Sequence, residues 1–447
     1  MLKFDFKNIL SENVASGNCN EELINMELDF NKAMKEIKND EPGFISLLDN
    51  PDYADRIDKM ADELNWCDNF VVLGIGGSAL GNTALQNSLR PLNWNFLNRE
   101  QRNKCPRIFV WDNVDPEYIM ANLEILDLNK TVFNVISKSG STAEAMSNYL
   151  VVRGLLEFWN LDLKKHMIFT TDPEKGVLNK ITEKDGIRKL TIPPSVGGRF
   201  SVLTSVGLLS AKMAGVDIRK LLEGAKEARD NMMNSEFSKN NAGLLAVHHR
   251  LQYQKGRKLS VMFSYSNALY SWADWYRQLW AESLGKEKDK NGEIKNLGPT
   301  PIKAVGPTDQ HSQVQLYNEG ENDKVITFLR VEKFRNVVKI PQLHEDIDAL
   351  NYLGGRTLNE LINFEQQGTA YALKKHNRPN LTVTFPVIDE KNVGEFIFTY
   401  ELATVLFGYM ENIDPFDQPG VEDGKIATYA LMGRKGYEDL SEEILNG

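Results

Sequence analysis

Three stretches of this chain concentrate residue types able to hold an anion or move a proton. The first follows an apolar run and reads Gly74-Ile75-Gly76-Gly77-Ser78-Ala79-Leu80-Gly81. Glycines there let the backbone turn tightly into a helix, leaving N–H groups and the positive helix end facing outward. Read loosely, Gly74-x-Gly76-x-x-Ala79 fits a dinucleotide fingerprint, which also needs an acid ~20 residues on to hold the ribose. Leu92–Arg99 carries no acid and Asp112 comes too late, so a nicotinamide cofactor is disfavoured. A tight turn without a ligand is the plain alternative.

The second stretch, Ser137-Lys138-Ser139-Gly140-Ser141-Thr142-Ala143-Glu144, places hydroxyls at 137, 139, 141 and 142 beside a lysine. One hydroxyl is enough to cap a helix. The surplus, with successive N–H groups and a helix start, suits a phosphate dianion. No G-x-x-x-x-G-K-[ST] occurs, so the reading is a phosphomonoester site and not a nucleotide P-loop.

The third stretch, Ala268 to Gly285, reads as one helix with Leu269, Trp272, Tyr276 and Leu279 on an apolar stripe. Trp275, Gln278 and Glu282 lie on a neighbouring stripe. Glu282 is then an acid in the last turn, where burial and the helix dipole both raise a carboxyl pKa from ~4.3 towards general-base range. The alternative is an exposed acid pairing with Lys286 or Lys288. Three more residues stand out: Arg199 after two glycines in Val196-Gly197-Gly198-Arg199, His311 on a turn in Gly306-Pro307-Thr308-Asp309-Gln310-His311, and Lys425 after Gln418-Pro419-Gly420-Val421-Glu422. A lone histidine is more often structural, and loop arginines and lysines are ordinarily solvated. None of the four decides alone.

Positioning these groups requires a scaffold. From about residue 67, short β-branched or aromatic runs alternate with amphipathic segments. The strands expected are Phe70–Gly74, Arg107–Trp111, Val132–Ser137, Met167–Thr171 and Lys189–Ile192. The helical pattern Ser141–Trp159 carries Leu150, Val151, Leu155 and Phe158 at helical spacing. Strand then helix, repeated, implies parallel strands covered on both faces. Pro193-Pro194-Ser195-Val196-Gly197-Gly198 breaks the pattern, helices run from about Ser201 to Gln254, and the polar patch Asn231–Asn241 reads as an interdomain connection. Alternation resumes with Leu259–Ser264, Ile302–Val305, Val325–Val331 and Leu381–Phe385. Both phosphate-suited loops then lie at strand C-termini, where doubly wound sheets bind ligands.

Composition narrows the classes. The 447 residues hold 52 Lys plus Arg against 62 Asp plus Glu, a net charge of −10. That balance argues against broad nucleic-acid or anionic-membrane binding, yet permits one local anion site. Cys19, Cys67 and Cys105 form no C-x-x-C pair, and no H-E-x-x-H occurs, so neither a disulfide framework nor a tightly held transition metal is expected. Phe396–Met410 is interrupted by Glu401 and too short to span a bilayer. The N-terminus has an acid where a signal peptide would carry its apolar run. A cytoplasmic, soluble protein is expected.

Taken together, Gly74-Ile75-Gly76-Gly77-Ser78, Ser137–Thr142, Val196–Ser201, Glu282-Ser283-Leu284-Gly285-Lys286, Asp309-Gln310-His311 and Gln418–Glu422 resemble the glucose-6-phosphate isomerase family, in its order and in the length of its shorter bacterial form. The resemblance implies two doubly wound, Rossmann-like sugar isomerase (SIS) domains with flanking helical segments, at 51–215 and 216–447, after a helical arm at 1–50. It implies a homodimer with shared active sites. Ser137, Lys138, Ser139 and Thr142 would hold the 6-phosphate, with Gly77 and Ser78 nearby. Glu282 would be the proton-transfer base, Gln278 and Gln418 substrate contacts, and Arg199 the cation beside the enediolate. His311, from the partner subunit, and Lys425 would open the sugar ring. Leu284 stands where many members have asparagine, and Ser139-Gly140-Ser141 where animal enzymes have Thr-Phe-Thr; no catalytic side chain is lost.

Such a reaction, a step of glycolysis and gluconeogenesis, needs no metal or redox cofactor. Rivals are another aldose–ketose isomerase of this fold, acting for example on mannose 6-phosphate, and a non-catalytic sugar-phosphate sensor. The sensor would have no use for Glu282, His311 and Lys425 together.

Overall fold

The computed structural model describes residues 1–50 and 52–447. Its strands are β1 (Lys3–Asp5), β2 (Asn69–Leu73), β3 (Arg107–Trp111), β4 (Thr131–Ile136), β5 (Met167–Thr171), β6 (Arg188–Thr191), β7 (Leu259–Ser264), β8 (Lys286–Lys288), β9 (Ile294–Leu297), β10 (Thr300–Val305), β11 (Lys324–Val331) and β12 (Asn380–Phe385). The first sheet has the order β3-β2-β4-β5-β6, every pair parallel. Numbered from its own first strand, that order is 2-1-3-4-5, with a topological switch point between β2 and β4. β2 and β4 are buried along their whole lengths, as strands covered on both faces must be.

The second sheet runs β1-β12-β11-β7-β10. Its parallel strands, numbered from β7, also follow the order 2-1-3-4, with the switch point between β7 and β11. The two halves thus repeat one topology on unrelated loop motifs. β1 adds an antiparallel edge, Lys3 facing Thr384. The first 50 residues therefore carry a strand as well as the helix Asn20–Asp40, which packs on Glu390–Met410. Three residues are too few to show alternation, which is why β1 escapes a reading of periodicity. The β8–β9 hairpin is likewise unforeseen, because its charged residues mask its β character.

Helix Ala143–Phe158 forms as expected but presents a different face to the sheet. Ala145, Tyr149, Val152 and Leu156 are buried, while Leu150, Val151 and Phe158 are exposed. Helices run Ser205–Met213, Ile218–Met232 and Asn241–Gln254; the first packs on Leu80–Leu89 and the second along Glu390–Met410. The polar patch at Asn231–Asn241 ends one helix, forms the short turn Phe237–Lys239 and caps the next through Asn240.

Helix Asn267–Leu284 leaves β7 of the second sheet yet packs against Leu80–Leu89 of the first half. Its Leu269, Trp272, Tyr276 and Leu279 are enclosed, in one core that runs from Phe70 and Val132 to Leu329 and Val383. Each such large apolar side chain contributes roughly 1.5–3 kcal/mol on burial. This crossing carries the end of a second-sheet helix to the switch point of the first sheet. Among the described residues, no helix is long and apolar enough to cross a membrane.

Candidate active site

After β2 the chain turns at Gly76, whose φ of +57° lies in the left-handed region that favours glycine. A Cβ on Gly76 would come 2.8 Å from Gln278 Nε2, and one on Gly77 only 2.2 Å from the Gly198 carbonyl oxygen. Absence of side chains thus lets the β2 loop, the 197–199 segment and the end of helix Asn267–Leu284 meet.

Glu282 is where these segments converge. Arg199 Nη1 lies 3.3 Å from its Oε2, and Gln278 Nε2 donates to its Oε1 at 3.1 Å. The Glu282 side chain keeps 33% of its surface exposed, against 2% for Arg199. Full burial does not occur, and the neighbouring lysines do not pair with its carboxylate. Lys286 Nζ instead donates to the carbonyl oxygens of Glu282 and Asp417, at 2.8 and 2.6 Å, and lies 3.0 Å from the Asp417 carboxylate. Gln278 Oε1 is buried without a partner.

Arg199 is clamped rather than projecting freely. Nε donates to Ser283 Oγ at 2.7 Å, Nη1 to Gln418 Oε1 at 2.8 Å, and Nη2 to the carbonyl oxygens of Pro415 and Asp417. Burial draws its pKa down from the ordinary arginine value, opposed by Glu282, Asp417 and Asp414. Such a planar fork, satisfied on every side, keeps one orientation.

Across the switch point lies the hydroxyl loop. Ser137 Oγ is 3.1 Å from Thr142 Oγ1 and accepts from the Gly140 N–H at 3.0 Å. Ser139 Oγ accepts from the Ser141 N–H and hydroxyl at 3.2 and 3.1 Å. Thr142 occupies the N-cap of Ala143–Phe158 without capping it through its side chain, so several donors of that first turn stay available to a ligand. Lys138 Nζ donates to the carbonyl oxygens of Pro194 and Val196 at 2.7 and 2.9 Å, tying this loop to the segment that holds Arg199. Burial lowers the pKa of Lys138, opposed by Asp172. Ser78 sits in the short turn Gly76–Ser78.

Two expected residues stand apart. Lys425 is exposed on helix Glu422–Leu431 and pairs with Glu422 at 2.7 Å. That helix reaches the hydroxyl loop through Tyr429, whose hydroxyl is 3.4 Å from the Ser141 carbonyl oxygen. His311 is exposed beyond β10, with no hydrogen bond or ion pair to the other candidates among the described residues. Ser283, Asp417 and Tyr429 are not singled out as site residues by the sequence, and Lys286 is expected there only as a partner of the Glu282 carboxylate. Ser283 lies inside a motif already singled out, whereas nothing local marks Asp417 or Tyr429.

A carboxylate beside a fixed guanidinium, with a hydroxyl-rich helix start at the same switch point, defines a doubly wound protein equipped to move a proton next to an anion site. The chain belongs to the phosphoglucose isomerase family, whose model matches residues 55–437. It is 48% identical over 377 residues to a glucose-6-phosphate isomerase of Carboxydothermus hydrogenoformans, covering 84% of this chain and 81% of the relative. It is 39% identical over 438 residues to that of Rubrobacter xylanophilus, covering 97% and 98%. A crystal structure of a hypothetical protein from Thermus thermophilus superposes with a TM-score of 0.85 at 32% identity, covering 97% of this chain and all of that one. A glucose-6-phosphate isomerase structure from Chlamydia trachomatis shares the fold, with a TM-score of 0.75 at 22% identity over 88% of this chain and 76% of that one.

Proposed function

We propose that the cleft interconverts glucose 6-phosphate and fructose 6-phosphate, with Glu282 as the base. The observation that carries this reading is the meeting of Glu282 with Arg199 and Gln278 opposite the hydroxyl loop. Ser137, Ser139 and Thr142, with the open helix start, grip the phosphate, while Lys138 adds positive charge and braces the neighbouring segment. Gly77 and Ser78 border the sugar, and Gln418 is held beside it by Arg199. Anchored in this way, the substrate presents C2 and then C1 to one carboxylate. Such positioning is worth roughly 7–11 kcal/mol in favourable systems.

Because the sugar is mostly cyclic, a proton first moves from O1 to the ring oxygen. His311 and Lys425 perform this step, histidine because its ordinary pKa of ~6.5 lets it take and give a proton near neutrality. Glu282 then takes the C2 proton to leave a cis-enediolate charged on O1, a proton passes from the O2 hydroxyl to O1, and the same carboxylate returns its proton at C1. Arg199 stabilises the developing oxyanion, worth about 3–4 kcal/mol for one well-aimed donor. Neither the phosphate grip nor the proton shuttle calls on a cofactor.

Two features support a homodimer that shares its sites. His311 is exposed and separate from Glu282 within one chain, and Leu150, Val151 and Phe158 form an uncovered apolar face on Ala143–Phe158. Free thiols at Cys19, Cys67 and Cys105 fit the reducing cytoplasm, where this step of glycolysis and gluconeogenesis takes place. The test is interconversion of the two phosphates in EDTA without nucleotide. Deuterium placed at C2 should appear at C1 or in solvent; retention at C2 during turnover would overturn the reading.

A further inference from the structure

We propose that the switch point of the second sheet is a second ligand site, which binds a small phosphomonoester with an apolar body and does not turn it over. This goes beyond the isomerase reading, on which only the count of sites in the test rests. The first switch point, between β2 and β4, holds the hydroxyl loop. The second, between β7 and β11, repeats its topology, and open α/β sheets bind ligands in the crevice at such points. A cavity of about 510 Å³ lies there, lined by Ser266 and Ala268 after β7, by residues 333–336 after β11, and by residues 90–93 from the first half. That volume falls within the roughly 300–1,000 Å³ of small-molecule pockets.

Its charge is one-sided. Arg90, Lys333 and Arg335 line it, no aspartate or glutamate does, and none of the three cations forms an ion pair among the described residues. Arg90 is fixed by bonds from Nε to the Ala214 carbonyl oxygen at 2.6 Å and from Nη1 to the Leu89 carbonyl oxygen at 2.7 Å. Arg335 Nη2 donates to the carbonyl oxygens of Ser88 and Ile388. Burial lowers the pKa of Arg335, and repulsion from Arg90 adds to it; Glu390 opposes both effects from beyond ion-pair distance. Like charges held together with no carboxylate at ion-pair distance suit an anion.

A second observation points the same way. Ser266, a lining residue of the cavity, is only 5% exposed and sits at the N-cap of the 18-residue helix Asn267–Leu284, yet its hydroxyl caps no backbone N–H. Serine at an N-cap ordinarily accepts from the first turn. Here the hydroxyl and the helix start are left to an incoming oxyanion. Leu92, Val338, Leu358 and Ile362 supply apolar lining. The missing carboxylate separates this cleft from the first, since no group is in place to abstract a carbon-bound proton.

Phenyl phosphate, a ring carrying one phosphomonoester, is the probe. Calorimetric titration of the full chain should show two sites per chain. Lys333→Ala with Arg335→Ala should weaken one of them roughly tenfold or more, with isomerase turnover unchanged within twofold. Val338→Trp, which fills the cavity without altering charge, should abolish the same site and guards against misfolding of the double variant. Phenol should not bind there. An isotherm unchanged in both variants, or phenol binding as well as phenyl phosphate, would overturn the proposal. Because the readout is binding, it stands apart from whether the first cleft isomerises sugars.

Discussion

Arg199 and Glu282 meet across the cleft at 3.3 Å, the guanidinium enclosed and the carboxylate open on one side. The arginine is held by five partners and the acid by two, so the fixed member of the pair is the cation and the accessible member is the base. Glu282→Gln keeps the size of the side chain and one accepting oxygen, which can stay with Arg199, while removing basicity. Turnover should fall by ~10²–10⁴-fold, with KM little changed. Near-normal kcat would exclude Glu282 as the proton acceptor.

Ser139→Ala and Thr142→Ala each remove a hydroxyl from the phosphate grip. A hydrogen bond to a charged group contributes roughly 1.5–3 kcal/mol, so KM for glucose 6-phosphate should rise roughly 10- to 100-fold for each, with kcat less affected. Steady-state kinetics check this, and an unchanged KM would move the phosphate elsewhere.

Gly77→Ala tests how closely three segments must approach. The added Cβ would meet the Gly198 carbonyl oxygen at 2.2 Å, so the β2 loop or the Arg199 segment must shift. A destabilisation of about 1–3 kcal/mol is expected from overpacking. A displacement near 1 Å at the cleft should lower kcat/KM by ~10²-fold. Denaturant melts and kinetics on the same preparation separate the two effects.

His311 lies on the surface, away from Glu282 of its own chain. Chains carrying His311→Ala and chains carrying Glu282→Gln should each be nearly inactive on the cyclic sugar. Dissociated and reassembled together, they should regain part of the activity, because one site per mixed dimer then holds both intact residues. No recovery would place His311 in the site of its own chain or outside the mechanism.

Glu401 is fully enclosed in Glu390–Met410, its Oε1 lacks a partner, and burial pushes its pKa well above the ordinary carboxylate value. The folded state keeps a proton that the unfolded chain releases above pH ~4.3. Below that pH the group is neutral in both states; above it the unfolded chain binds fewer protons, so stability drops as pH rises. Glu401→Gln imitates the protonated form. It should raise Tm at pH 8, with the gain shrinking towards pH 4.5, and thermal melts at both values decide it.

The strands were legible because β-branched runs bounded by glycine and polar residues need no tertiary information; β3, β5 and β7 match their expected limits. Helix Ala143–Phe158 was legible as a helix but not as to its buried face, since aliphatic residues occur around its circumference. Pairing across long separations was hidden. Local spacing offered Lys286 as the partner of Glu282, but backbone carbonyls at Glu282 and Asp417 capture its ammonium. Arg199, 83 residues away, takes the place beside Glu282. The clamp from Pro415 to Gln418 is still more distant and leaves no mark in composition or period.

The edge strand β1 has a consequence for biosynthesis. Lys3 pairs with Thr384, and the Leu2 N–H donates to Glu395, so this strand has no neighbour in the sheet until residues 380–395 leave the ribosome. The sheet ending at β6 can be completed while synthesis is still under way. At roughly 5–20 residues per second, the first strand waits about 20–80 s for its mate. A segment made before either sheet is among the last to dock.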